Sequence, residues 1–177
     1  MEEASPRERA GLSRPRFLAR KRDAWFLALA ASIVALDQLS KWVIRATVER
    51  GDVWPADWPA RIVHITNSGA AFGLLQGSGP LLVIVSIIGM AAILIYLFNP
   101  EFAHPLMRAG LAFMLGGAVG NLVDRIRNGE VVDFIKLPNW PAFNVADSAI
   151  TIGVLLLVWA LLTDTTGKDT ESTAEKS

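Results

Sequence analysis

Apolar residues in this chain are gathered into long blocks rather than alternating with polar ones. Four blocks reach spanning length, Trp25–Ile44, Pro80–Phe98, Pro105–Val123 and Phe143–Leu162, each close to the ~20 residues a helix needs to cross hydrocarbon. The pattern predicts a mostly α, integral membrane protein with four transmembrane helices. The first block is interrupted by Asp37, Gln38, Ser40 and Lys41. By the helical rise Asp37 lies roughly 18 Å from Trp25, in the outer half of the membrane. Lys41 follows one turn later on the same face, where opposite charges support each other. That pair is either a structural lock for helix 1 or part of a functional site. The second block is nearly featureless and reads as scaffold. The third carries Gly110, Gly116, Gly117 and Gly120, small residues that let helices approach closely in lipid.

The connections differ in character. Between the first two blocks, Gly51, Pro55 and Pro59 break the chain, and Trp54 and Trp58 suit the headgroup level. Arg61–Thr66 then alternates and is β-branched, which predicts a short strand. His64 within it reads as a strand residue rather than a ligand. Asn67–Gly73 is a run of small residues that admits a close backbone, or simply a turn into helix 2. Asn99-Pro100 and His104-Pro105 punctuate the next turn. Past Arg125 the chain is expected to leave helix 3, with a turn at Asn128-Gly129 and a second strand at Val131–Ile135. Helix 4 is expected from Phe143, with Asn144 and Asp147 on one face and Asp147 about 6 Å below the outer surface.

Charge sets the orientation. Residues 1–23 hold seven basic residues and read as a cytoplasmic tail without fixed structure. Four spans over residues 24–163 then return a second polar tail, residues 164–177, to the cytoplasm. A cleavable leader is the rival reading of the N-terminus, but the apolar run continues at full spanning length. The net charge is zero, so no nucleic-acid partner is expected, and the absence of cysteine removes disulfides, thiolate metal sites and cysteine nucleophiles.

Candidate chemistry concentrates in residues 116–148, where Asp124, Asp133, Asp147, Asn121, Asn144 and Arg125 crowd the ends of two spans. Carboxylates bordering hydrocarbon are costly and usually serve a pathway or a reaction. No zinc signature or phosphate loop is present. Two carboxylates held close cannot both ionise, so one can act as base on water while the other donates a proton to a carbonyl. Asp133 and Asp147 are the expected pair. Asp124, beside Arg125, reads as support with a built-in counter-charge. A hydrogen-bonded plug or an ion path is the alternative, and a carrier or an assembly subunit would be its functional form. The inner halves of helices 2 to 4 read as free of charge, which favours chemistry at the outer interface.

Five blocks resemble the lipoprotein signal peptidases, the type II signal peptidases of bacteria. They are Asp37-Gln38-Leu39-Ser40-Lys41-Trp42, Asn67–Gly73, Gly116–Arg125, Val131–Phe134 and Phe143–Ser148, in the family's order and spacing. The resemblance implies an aspartyl endopeptidase of the cytoplasmic membrane, acting without metal or cofactor and inhibited by the cyclic peptide globomycin. Its substrate would be a prolipoprotein cut before a diacylglyceryl-modified cysteine. Carried over by motif, Asp133 and Asp147 match the catalytic dyad, and Asn67, Asn121, Arg125 and Asn144 match the lining of the substrate site. Asp37, Lys41 and Asp124 match polar positions of the same region. The two strands match a small extracytoplasmic β-cradle over the site. The enzyme is expected to work as a monomer in contact with membrane lipid.

Overall fold

The computed structural model describes residues 21–55, 57–69, 79–98 and 104–174. Most of the basic N-terminal tail, the small-residue run from Ala70 onward and most of the inner turn lie outside these. The chain order is α1 (Lys21–Thr47), β1 (Val53–Trp54), β2 (Arg61–Asn67), α2 (Gly79–Phe98), α3 (Pro105–Asn128), β3 (Val131–Lys136) and α4 (Val145–Ala174). All four helices are long and apolar enough to cross a membrane.

α3 is the central helix and packs against the other three. Half of its spanning window is buried against only 6% of that of α2, so α2 spends its apolar surface on lipid through Ile84, Val85, Ile88 and Ile95. The small residues of α3 explain this arrangement. A Cβ on Gly110 would meet the Gly153 carbonyl at 2.8 Å, and one on Gly117 would run into the Ala146 carbonyl. α3 and α4 are therefore in backbone contact, the closeness that replaces hydrophobic driving force within lipid.

Two helices outrun the expected ends. α1 continues through Arg45 to Thr47 because nothing breaks it before Gly51. α3 continues past Arg125 to Asn128, where Gly129 takes φ 75° and returns its N–H to the Arg125 carbonyl at 3.0 Å. A left-handed residue is the ordinary device for closing a helix, and glycine adopts it without steric cost. α4 starts at Val145 rather than Phe143 and runs on to Ala174, through residues that the sequence leaves as a loose tail.

β1, β2 and β3 form one antiparallel sheet in that order; β1 is a strand the broken Gly-Pro segment did not predict. Ile65 pairs with Asp133 and Asn67 with Val131, with an irregularity between Ile62 and Ile65. His64 is buried in β2 with Nδ1 2.7 Å from the Val48 carbonyl, a strand residue as read from its neighbours. Phe143 folds back on β3, donating its N–H to the Ile135 carbonyl and accepting from Phe134 and Ile135. That return brings the start of α4 beside β3.

The end of the bundle away from the sheet, expected to be free of charge, carries a buried arginine. Arg108 is buried in the first turns of α3, with Nη2 donating to the Leu97 carbonyl at 2.8 Å and its guanidinium 5.3 Å from the Phe26 ring. Both contacts are available near a helix end, where carbonyls lack intrahelical partners.

Candidate active site

Asp147 is held by the way α4 begins. Asn144 is its N-cap, accepting the Asp147 N–H on Oδ1 at 3.0 Å, while Asp147 Oδ2 accepts the Asn144 N–H at 3.2 Å. This is a reciprocal capping box. The two residues thus meet as cap and third position, not as neighbours on one helical face. The Asn-x-x-Asp spacing before an apolar run was the signal that could have revealed it.

Asp133 is presented by β3 and is nearly buried. Its Oδ1 accepts from Asn144 Nδ2 at 2.8 Å and its Oδ2 from Asn67 Nδ2 at 3.2 Å. Asn67 is itself fixed, because its Oδ1 accepts the Gly69 N–H at 2.9 Å in an Asx turn. Asn144 therefore touches both carboxylates, one through its side chain and one through its backbone. Asn121 completes the frame, donating from Nδ2 to Asp147 Oδ1 at 2.8 Å and accepting from Asn144 on Oδ1 at 3.2 Å.

Below this pair lies a buried ionic cluster. Lys41 Nζ stands 2.9 Å from Asp37 Oδ2, 3.1 Å from Asp124 Oδ2 and 2.9 Å from Asn121 Oδ1. Lys41 and Asp37 show no exposed surface. An ammonium only donates, so Lys41 obliges Asn121 to turn its carbonyl oxygen inward and its amino group toward Asp147. Asp37 reaches further: its Oδ1 accepts the Ala146 N–H at 3.0 Å and so caps α4 from α1. Gly120 makes room for it, since a Cβ there would sit 2.6 Å from Asp37 Oδ2.

Asp124 does not pair with Arg125. Its partners are Lys41 and, through Oδ1 at 2.9 Å, Arg45. Adjacent helical residues point in different directions, so Arg125 is carried round to the other carboxylates instead. Arg45 was missed as a site residue because α1 was expected to end before it. The i, i+4, i+8 spacing of Asp37, Lys41 and Arg45 was the available signal. Gln38 was also missed; its Nε2 donates to the Gly120 carbonyl and to Asp37, both at 3.1 Å.

Asn67, Asn121, Arg125, Asp133 and Asp147 line one pocket of about 310 Å³, walled further by Trp140, Phe143, Ile150 and Thr151. Burial and then the neighbouring Asp147 charge push the Asp133 carboxyl up to about 6, against the lowering effect of its Asn67 and Asn144 hydrogen bonds. Opposed carboxyls of this kind can hold one proton between them near neutral pH. The pocket brings two carboxyls and one guanidinium into a single cavity.

Four apolar helices, a small antiparallel sheet and paired carboxylates at their junction define a polytopic membrane protein with an acid–base pocket. The sequence profile of signal peptidase (SPase) II matches residues 29–163, and the chain belongs to that family. The lipoprotein signal peptidase of Moorella thermoacetica is 46% identical over 142 residues, covering 77% of this chain and 92% of the relative. That of Staphylococcus aureus is 36% identical over 149 residues, covering 80% and 90%. A solved bacterial membrane enzyme superposes with TM-score 0.77 at 35% identity, covering 82% of this chain and 92% of the other.

Proposed function

We propose that this protein is a membrane aspartyl endopeptidase that removes the signal peptide from bacterial prolipoproteins, cutting before a cysteine that carries diacylglycerol. The observation that carries the chemistry is the placement of Asp133 and Asp147 in one pocket, joined through Asn144, with Asp133 pushed up to about 6. In this reading the ionised carboxyl takes a proton from a water held between the pair. The water oxygen attacks the scissile carbonyl, and the protonated carboxyl donates to the carbonyl oxygen as it gains charge. The carboxyl that took the water proton then gives it to the leaving amine, and the other carboxylate recovers its proton from the gem-diol as the C–N bond breaks and the carbonyl re-forms. Asn67, Asn121 and Asn144 hold the carboxyls in line, Arg125 faces the substrate, and Asp37, Lys41 and Asp124 brace the frame.

Depth supports the substrate class. Asp147 lies in the first turn of α4, at a helix end and hence near a membrane surface. A lipid-anchored cysteine presents its peptide bond at that level while its acyl chains stay in the bilayer. We place the protein in the cytoplasmic membrane as a monomer, with both termini inside and the pocket at the outer face. The seven basic residues before Ala24 support that orientation.

The test is cleavage of a diacylglyceryl-modified prolipoprotein by the purified protein, compared with Asp133→Asn and Asp147→Asn. Wild type should cut before the modified cysteine with a rate that falls as pH rises through about 6, and both variants should be inactive. Near-normal turnover by either variant would remove that residue from the dyad.

A further inference from the structure

The carboxylate pocket lies on one face of the sheet, and the other face is turned to α1. Strand alternation sends Val132, Phe134 and Lys136 to the side opposite Asp133. Val132 and Phe134 pack there against Ile44 of α1. Beside them opens an apolar groove of about 480 Å³ whose lining includes Leu36, Leu39, Val43, Ile44 and Phe134. Among the described residues no element covers α1 here: Leu36 is 59% and Leu39 58% exposed. From Leu36 to Ile44 the groove follows α1 for about 12 Å, toward the middle of the bilayer.

Arg61 also lines this groove. In the β2–β3 ladder its direct partner is Lys136, which puts two cations on one face at cross-strand distance. Like charges so placed repel. Elsewhere at this end of the molecule Arg45 pairs with Asp124 and Arg50 with Glu130, each at 2.9 Å, whereas Arg125 and Arg127 in the last turn of α3 have no carboxylate within ion-pair distance among the described residues. Among the described residues no carboxylate comes within ion-pair distance of Arg61 or Lys136. Each is steadied by one backbone carbonyl, Arg61 Nε on Trp58 at 3.0 Å and Lys136 Nζ on Trp140 at 2.6 Å. Among the described residues the remaining donors, including both Nη groups of Arg61, meet no acceptor. Trp54, Trp58 and Trp140 are more than half exposed around them, as expected at the headgroup level.

An apolar channel at acyl depth with Arg61 in its lining, and Lys136 beside Arg61 across the ladder, has the chemistry of an anionic phospholipid. We propose that Arg61 and Lys136 bind the phosphate diester of one such lipid, whose acyl chain lies along α1 in the groove. A neighbouring groove shares Val43, Ile44 and Ile62 and extends toward Trp54; it takes the second chain. Its rim carries Asp52 rather than a base, so the phosphate belongs on the Arg61 side. The bound lipid would seat the outer sheet on the membrane from the side away from the carboxylates.

Native mass spectrometry of the full chain in a non-ionic detergent tests this. The probes are long-chain phosphatidylglycerol, phosphatidylcholine of the same chains, dihexanoyl-phosphatidylglycerol and inorganic phosphate. Two interfacial cations give an expected preference for the anionic over the zwitterionic lipid of about 30-fold. Arg61→Gln/Lys136→Gln should abolish that preference, while the short-chain lipid and inorganic phosphate should fail to displace the long-chain one. The proposal is overturned if the double variant keeps the preference, or if phosphate or the short-chain lipid competes on equal terms. Should the double variant not fold, Arg61→Gln alone is read instead. It should lose about 5-fold of the preference, and full retention by that variant refutes the site.

Discussion

Replacing Lys41 by methionine removes a charge while keeping most of the side chain's volume. The ammonium has two carboxylate neighbours, but they are not equally exposed to its loss. Asp124 keeps Arg45 at 2.9 Å, whereas Asp37 has no second cation among the described residues. One buried carboxylate is therefore orphaned, and breaking a buried pair in this way costs about 3–5 kcal/mol. At ~2–4 °C per kcal/mol for a chain of this size, thermal unfolding in detergent should come at least about 6 °C earlier. Adding Asp37→Asn removes the orphaned charge yet retains an oxygen for the Ala146 N–H. The double variant should thus recover about 1–3 kcal/mol relative to the sum of the single changes. Turnover has a separate signature, since Asn121 is freed to point its carbonyl oxygen at Asp147. An ångström-scale misplacement of that kind costs about a hundredfold in rate. Asn121→Ala in the Lys41→Met background should add little further loss. If Lys41→Met melts within about 2 °C of wild type, or the Asp37 and Lys41 costs simply add, the buried-pair reasoning fails.

Two other outcomes follow from the geometry. The Asp133 carboxyl is raised from 3.8 to about 6, so the folded state holds its proton more tightly than the unfolded state. Its ionisation therefore costs stability as pH rises from about 4 to about 6, on the order of 3 kcal/mol. Asp133→Asn should gain on wild type by that amount between pH 4 and pH 7 in parallel melts, and a pH-independent difference would contradict it. Gly117→Ala must push α3 and α4 apart at Ala146 and Ile150. It should cost about 1–3 kcal/mol and reduce turnover by moving Asp147; an unchanged melt and rate would show the contact is not tight.

Much of the architecture was legible because membrane spans are written as long apolar blocks with no competing interpretation. The strands at Arg61 and Val131 were legible from alternation. The polar residues at the ends of the spans also stood out, since each sits where hydrocarbon penalises it. Helix ends were less legible: the chain gives no local stop at Ile44 or Arg125, and only the observed continuation placed Arg45 against Asp124 and sent Arg125 toward Asp133 and Asp147.

By itself the sequence determined which residues are expensive to bury and on which helix or strand they ride, because periodicity and burial cost are local properties. It did not determine which charges meet. Asp124 has Arg125 as its neighbour in the chain but Lys41 and Arg45 as its partners in space. Asp37, in the first span, caps the last. Those choices depend on how closely α3 lies to α1 and α4, which Gly117 and Gly120 permit but do not aim. Ion pairing falls off within a few ångströms and amide hydrogen bonds within less. Partners are therefore selected only when packed helices fix distances that no stretch of sequence contains.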